Sequence, residues 1–490
     1  MAGLKAGIDA ASHPHEVLYE IPFDSERKAM SIVFREPDGH VWMYTKGAPE
    51  VILAKCTREL HEGREIELTS DRRRVITEAA AAMADRALRV LGLAYRRDHA
   101  GPDGVYREEA MVFAGLAGMI DPPREEARDA VQRCCEAGIR PVMITGDHPA
   151  TARAIARELG ILRPNDRLLT GQELDALSDD DLADRVEEIS VYARVAAEHK
   201  LRVVKAWKRQ GHVVAMTGDG VNDAPAVRSA DIGIAMGKTG TDVTRDASAM
   251  VLTDDNFASI VNAVEEGRCV YDNIQKVLRF LLSCNLGEIL IIFLASLFAW
   301  PTPLIAIQLL WINLVTDGLP ALALSMEKPE PGIMRRKPRS PKESILSAGA
   351  GFWILLQGLL QGGVVLAAFA LMRALYPEEL GRARTIAFCV LVYTELFRAL
   401  AARSPTLTLF QLGVFTNPPL LGAIVVSGLL QFSVVTMPFA RPVFESATHF
   451  VWEWALILVF SLIPVTMIEM VKWVKMAFSR SLRDRIPSTF

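Results

Sequence analysis

The chain has 490 residues, half of them hydrophobic, and a formal net charge of -4. That length exceeds one ordinary soluble domain, that apolar content exceeds a wholly soluble protein, and so small a net charge without a polybasic surface excludes nucleic acid as a partner. The cysteines, Cys56, Cys134, Cys135, Cys269, Cys284 and Cys389, form no C-x-x-C pair, so neither structural zinc nor a disulfide framework is indicated.

In chain order, the opening MAGLKAGIDAASHPHEVLYE has no apolar run of the kind a secretory signal needs. Residues 1–112 read as a mixed α+β segment, with strands around Ala29–Arg35 and His40–Tyr44 and a helix from Asp71 to Leu88. No partner sheet is evident for it, so half a domain is expected. From Ala114 to Ala263, short apolar runs (PVMIT, HVVAMT, IGIAM) alternate with amphipathic helices such as REEARDAVQRCCEAG. This is the pattern of an α/β domain on a parallel sheet, whose active sites lie at the C-terminal ends of strands.

Six apolar runs follow, at 277–299, 303–325, 350–372, 385–402, 418–438 and 451–475. Each suits a membrane-crossing helix of roughly 20 residues. They predict an all-α, six-helix, multi-pass domain in a lipid bilayer. The loop after the second run carries Lys328, Arg335, Arg336, Lys337, Arg339 and Lys342, and the tail carries Lys472, Lys475, Arg480, Arg483 and Arg485. By the positive-inside rule both are cytoplasmic, together with the soluble half and both termini.

The strongest local signal is MTGDGVNDAPA, Met216 to Ala226, which follows the strand run HVVA. Asp219 and Asp223 sit four apart around Gly220 and Asn222, and carboxylates on a tight turn can hold Mg²⁺, a hard cation that prefers oxygen. A lone T-G-D is about as often a polar turn that caps the next helix, but the whole string is not. Upstream, VMITGDHPAT repeats the design: the Thr145 hydroxyl and the Gly146 N–H stand at a strand end, where they can donate to a phosphoryl group. Lys200, in RVAAEHK, can neutralise developing charge there, although a single lysine is ordinarily a solvated surface residue.

Ionisable residues inside apolar spans cost about 2.5–3.5 kcal/mol each on insertion scales, so they normally face a bundle interior or an ion path. Asn285 and Glu288 fall at i, i+3 in the first span; Asn313, Thr316 and Asp317 fall at i, i+3 and i+4 in the second; the fourth adds Glu395. Gly318 and Pro320 weaken the helix after Asp317 and can free backbone carbonyls, which is tolerated at membrane depth only beside a cavity. An all-oxygen set without soft sulfur suits Ca²⁺ or a similar hard cation rather than copper or zinc.

Taken together, these strings resemble the P-type ATPases, a branch of the haloacid dehalogenase superfamily, and within them the C-terminal portion of the calcium pumps. The resemblance covers essentially the whole chain. It implies a partial nucleotide-binding domain over 1–112, a haloacid dehalogenase-like phosphorylation domain lacking its first strand over 113–266, and over 267–490 the equivalents of the family's fifth to tenth spans. In that family the two T-G-D elements and an H-K lysine surround an aspartyl phosphate. Asp219 would then coordinate Mg²⁺, Asp223 and Asn222 would support it and the phosphate, and Thr145, Gly146, Asp147 and Lys200 would serve the phosphoryl group.

YTKGAPE, Tyr44 to Glu50, resembles the family's nucleotide-domain signature, with Lys46 near ATP. FDSERKAMS resembles its adenine-pocket strand, with Phe23 stacking and Lys28 in contact; taken alone, Phe23 reads equally as a core aromatic. Arg89 matches a nucleotide-clamping arginine, and Arg194 is counted with the same set. The strings S-x-N-x-G-E and N-L-V-T-D-G-L-P are those of sarcoplasmic-reticulum-like and related bacterial calcium pumps, whose Ca²⁺ ligands would correspond to Asn285, Glu288, Asn313, Thr316, Asp317 and Glu395. A plasma membrane of bacterial type is the implied location.

The sequence also departs from the family. It contains no D-K-T-G-T with the nucleophilic aspartate, no T-G-E and no P-E-G. All three are expected upstream of Met1, which makes a missing N-terminal half the expected partner, beside ATP, Ca²⁺ and the bilayer. A K-T-G-T does occur at Lys238–Thr241, but Gly237 stands where the nucleophile would be, and its surroundings match another family segment. Three readings remain: part of an ATP-driven Ca²⁺ pump, an inactive truncated pump or membrane-anchored nucleotide- and cation-binding module without turnover, and a passive six-span channel or assembly subunit.

Overall fold

The computed structural model describes residues 16–485, apart from 25–26, 86–87, 98–105, 120–123, 341–342, 347 and 449. They form two compact units, one up to Val261 and one from Asn262.

The first unit opens with a mixed sheet built from β1 (Glu16–Asp24), β2 (Ala29–Arg35), β3 (Val41–Gly47), β4 (Cys56–His61), β5 (Arg64–Glu67), β6 (Arg89–Arg97) and β7 (Met111–Met119) in the order β1-β2-β3-β6-β7-β4-β5. Neighbours are antiparallel except β4 and β7. Alternation sets the buried face: Ala29, Ser31 and Val33 of β2 and Met43, Thr45 and Gly47 of β3 point inward. With Ile52, Cys56, Met111 and Phe113 they form one core, which also takes in Ile76 of helix α1 (Ser70–Asp85). The expectation of a segment without a partner sheet is overturned. β5 (REIE) is exposed throughout and β6 (RVLGLAYRR) is short on alternation, so neither announced itself as a strand. β7 also runs through the expected boundary between residues 112 and 113.

The rest of the unit is α/β. Strands β8 (Met143–Thr145), β9 (Arg167–Thr170) and β10 (Ile189–Ala193) form one parallel sheet in the order β8-β10-β9; β11 (Ala215–Gly218), β12 (Ile232–Met236) and β13 (Met250–Leu252) form a second in the order β11-β12-β13. β10 is buried along its whole length, as an inner parallel strand should be, and is covered by helices α2 (Glu125–Glu136), α3 (Pro149–Glu158) and α4 (Ala197–Arg209). β8 and β11 are edge strands, each half-exposed, and their residues Ile144 and Met216 meet in one apolar cluster with Val204 of α4. Two parallel sheets thus offer free edges to one region.

In the second unit, α5 (Phe257–Leu297), the broken pair α6 (Ala306–Trp311) and α7 (Gly318–Leu324), α8 (Ala348–Leu375), α10 (Pro418–Thr436) and α11 (Val451–Arg485) provide five segments long and apolar enough to cross a membrane. The remaining expected span is helical too, as α9 (Leu380–Ala401), but it carries Arg382, Arg384, Glu395 and Arg398. It is the most enclosed helix of the bundle. Arg382 donates from Nε to Glu453 Oε1 at 2.7 Å and lies between the rings of Tyr376 and Phe450.

Candidate functional sites

Thr145 and Asp147 follow β8. The Thr145 hydroxyl accepts from the Asp147 amide at 3.1 Å and donates to the Asp147 carboxylate at 3.0 Å, while Gly146 is open to solvent. The turn is tied down by Arg194, exposed and left-handed at φ 50, whose N–H donates to Asp147 O, and by the Val195 N–H on Thr145 O. Arg194 therefore has a backbone role beside this turn, and its side chain points outward.

The second turn follows β11. Asp223 is buried and held from two sides: Lys200 Nζ of α4 donates to Oδ1 at 2.5 Å, and the Asp219 amide donates to Oδ2 at 3.4 Å. Gly218 allows this approach, since a Cβ there would lie 2.6 Å from Asp223 Cβ. Asp219 and Asn222 are exposed, and among the described residues the Asp219 carboxylate takes no hydrogen bond. A fixed lysine–aspartate pair beside a free carboxylate can hold a hard cation at Asp219 while Lys200 keeps a positive charge at the strand end. The K-T-G-T loop after β12 does something else: the amides of Gly237, Lys238 and Thr239 close around the Asp255 carboxylate at 2.7–3.0 Å. That loop is a structural turn.

Of the nucleotide residues, Phe23 is 63% exposed on β1, which excludes the core-aromatic alternative. Lys46 lies on the open face of β3, opposite Met30 of β2. Lys28 is exposed at the β1–β2 turn with φ 52, and its carbonyl receives the Ala48 amide. Gly47 is required there, because a Cβ would sit 2.5 Å from Lys28 O. Arg89 opens β6 with its backbone opposite Met119; its side chain lies outside the described residues.

In the bundle the chain between α6 and α7 is a π turn over Ile312–Thr316, with the Asp317 amide bonded to Ile312 O at 2.9 Å. The weakness expected from Gly318 and Pro320 appears as this wide turn, a form found mostly at functional positions. Glu288, Asp317 and Glu395 are 7%, 1% and 0% exposed, and among the described residues Glu288 Oε1, both Asp317 oxygens and Glu395 Oε2 have no hydrogen-bond partner. Asn313 donates to Glu288 Oε2 at 2.8 Å, and the Thr316 hydroxyl is spent on Ile312 O at 3.0 Å. Asp317 and Glu395 come together with Cys284, their ligand atoms all within 4.8 Å of one another.

Cys284 was not among the expected residues: its thiol stands among the carboxylates, while among the described residues no hydrogen bond joins the half-buried Asn285 to them. Sequence reasoning also missed Arg398. Buried at 2% exposure, it donates to Gln361 Oε1, Ser283 Oγ and Gln357 Oε1, and Gln361 Nε2 in turn donates to Glu395 Oε1 at 2.7 Å. The signal was present: an arginine in an apolar span calls for the same explanation as a carboxylate.

Comparison with known proteins agrees with this architecture. Residues 3–126 match the model of the P-type ATPase cytoplasmic domain N, and residues 301–474 match that of the cation transporting ATPase C-terminus. The chain belongs to the P-type ATPases and corresponds to their C-terminal portion. It is 45% identical to a calcium-transporting ATPase of Bacillus subtilis (92% of this chain, 51% of the relative) and 44% identical to calcium-transporting ATPase 1 of Bacillus cereus (94% and 54%). An endoplasmic reticulum calcium ATPase of Aspergillus fumigatus is 38% identical (92% and 51%). The chain spans about half the length of the curated relatives it matches.

Proposed function

We propose that these residues supply the nucleotide face, most of the phosphate site and part of the ion path of an ATP-driven Ca²⁺ pump. The observation that carries the reading is the trio Glu288, Asp317 and Glu395, buried in an apolar bundle with unpartnered oxygens and a π turn beside them. Buried charge is retained at such cost where it meets a cation, and the relatives are named for calcium transport. Glu288 and Asp317 are the charged ligands, Asn313 and Glu395 complete the set with amide and carboxylate oxygen, and the six spans from α5 to α11, with the broken pair α6 and α7 as one, cross the bilayer, α9 enclosed at the centre.

On the cytoplasmic side, ATP lies on the open face that bears Phe23, Lys28 and Lys46, with Arg89 against it. Thr145 and the Gly146 N–H donate to the phosphoryl oxygens, and Lys200, fixed by Asp223, sets positive charge where negative charge develops. Mg²⁺, when bound at Asp219 with Asp223 and Asn222 behind it, supplies further neutralising charge. The nucleophile is an aspartate on a strand between β8 and β11, a place where these residues leave two free parallel edges. It belongs to the other half of the pump.

The test is co-expression with the N-terminal half of the Bacillus subtilis relative, followed by ATP-driven uptake of radioactive Ca²⁺ into inverted membrane vesicles. Uptake is expected with both halves and lost in Asp317→Asn or Asp219→Asn. Uptake that persists in Asp317→Asn removes the ion site, and persistence in Asp219→Asn removes the phosphate site.

A further inference from the structure

The bundle contains a cleft of about 460 Å³ bordered by α5, α8, α9 and α11. Five of the side chains lining it are cationic: Lys276 and Arg279 of α5, Arg398 of α9, and Lys472 and Lys475 of α11; no carboxylate lines it. Acids lie beside Lys472 and Lys276. Lys472 donates to Glu469 and to Ala401 O, each at 2.7 Å, and Lys276 faces Glu330 at 3.7 Å. Arg279 donates to a neutral amide, Gln275 Oε1, and Arg398 donates to Gln361, Gln357 and Ser283. The Nε of each of these arginines is buried without an acceptor. Lys475 lies over the Trp353 ring at 3.7 Å.

The remaining wall is apolar, with Phe280, Leu356, Leu360, Met467 and Val471. A small soluble anion would satisfy the cations and leave that wall uncovered, whereas a neutral hydrocarbon would do the reverse. A zwitterionic lipid brings its own cation to a mouth already rich in them. An anion joined to a hydrocarbon chain fits both halves, and the bilayer around apolar helices holds such molecules at high local concentration.

We propose that this cleft binds an anionic phospholipid, with the headgroup phosphate between Arg279 and Lys475 and an acyl chain along α8 and α11. The inference does not rest on the pump reading, since it uses neither the phosphate site nor the carboxylates.

The test is native mass spectrometry of the full chain in detergent, offered phosphatidylglycerol and phosphatidylcholine of the same acyl composition at equal concentration. The wild type is expected to retain phosphatidylglycerol preferentially. Lys475→Gln and Arg279→Gln should each lower that preference about fivefold, the factor that about 1 kcal/mol per basic residue represents. Lys475→Arg should keep it, as should Arg384→Gln, whose guanidinium is bonded to Thr302 away from the cleft. If Arg279→Gln does not fold, Lys475→Gln decides, since its side chain is at an exposed position of α11. Equal retention of the two lipids, or a preference that both cleft variants leave intact, overturns the proposal. Displacement of phosphatidylglycerol by millimolar inorganic phosphate also overturns it, by showing a site for soluble anions.

Discussion

Glu108 is a buried carboxylate bonded to Lys55 at 2.6 Å, to Ser31 and to Arg27. Burial alone would raise its pKa, but those three donors outweigh it and hold the carboxyl below its ordinary value. A carboxylate depressed in the folded state adds stability above the unfolded value, about pH 4.3, and that stability is lost as pH falls through the folded value. Protection of the β2 and β3 amides, taken relative to their unfolded exchange rates at the same pH, should therefore fall on acidification below about pH 4.3, and Glu108→Gln should lower it at pH 7 while flattening that pH dependence. Asp255 shows the same logic at the surface, where the Lys238 amide above all, then Thr239 and Gly237, draws its pKa down to about 2. In the K-T-G-T loop closed around it, Gly237 stands where a nucleophilic carboxylate would be. At the carboxylates of the bundle, Glu288→Gln or Asp317→Asn in a complemented pump should abolish Ca²⁺-dependent phosphoenzyme formation while leaving ATP binding nearly unchanged. Cys284→Ala should change Ca²⁺ dependence far less, because Ca²⁺ takes oxygen ligands; a large effect would mark the thiol as a ligand.

Elements differ in how legibly the sequence wrote them. The strands ending at Thr145 and Thr217 were readable because an apolar run followed by T-G-D leaves one arrangement, and the apolar spans were readable from length. β5 and β6 were not, because their burial is decided by partners distant in sequence; β4, for example, pairs in parallel with β7. Residue spacing gave Glu288, Asp317 and Glu395, and it also sets Cys284 four residues before Glu288 and Arg398 three after Glu395; Gln361 joins them only through the packing of α8 against α9, which no spacing encodes. The loop after α7 illustrates the same point. Glu327 receives both arms of the buried Arg403 at 2.8 Å and the Asn417 amide at 2.8 Å. Removing one partner strands the other charge, so Glu327→Gln should cost about 3–5 kcal/mol of bundle stability, seen as a lower thermal midpoint in detergent. An unchanged midpoint would show that water replaces the lost bond.

At the scale of the whole molecule, the question is what 490 residues can do when they span about half the length of their relatives. Covalent phosphoryl transfer needs a carboxylate aligned with the phosphorus as well as groups that stabilise its charge. On the proposed reading, the second requirement is met at Thr145, Gly146, Lys200 and Asp219. The first is not: the sequence contains no D-K-T-G-T, Asp223 is tied to Lys200, and Asp255 is enclosed by its own loop. On the proposed reading, the lacking group enters at the edges of β8 and β11, since an added parallel strand between them would pair with both and bring its C-terminal end near Thr145 and Asp219. Residues 1–490 incubated with radioactive ATP should accordingly give no acid-stable, hydroxylamine-sensitive label, with or without Ca²⁺. Label should appear when the N-terminal half of a relative is supplied, and amide exchange in β8 and β11 should slow at the same time, because new ladder bonds protect both edges. Complementation that restores label without protecting those strands would place the nucleophile elsewhere. Labelling of the chain by itself, lost in Asp219→Asn, would mean that one of its own carboxylates attacks, and the gap between the two sheets would then need another explanation.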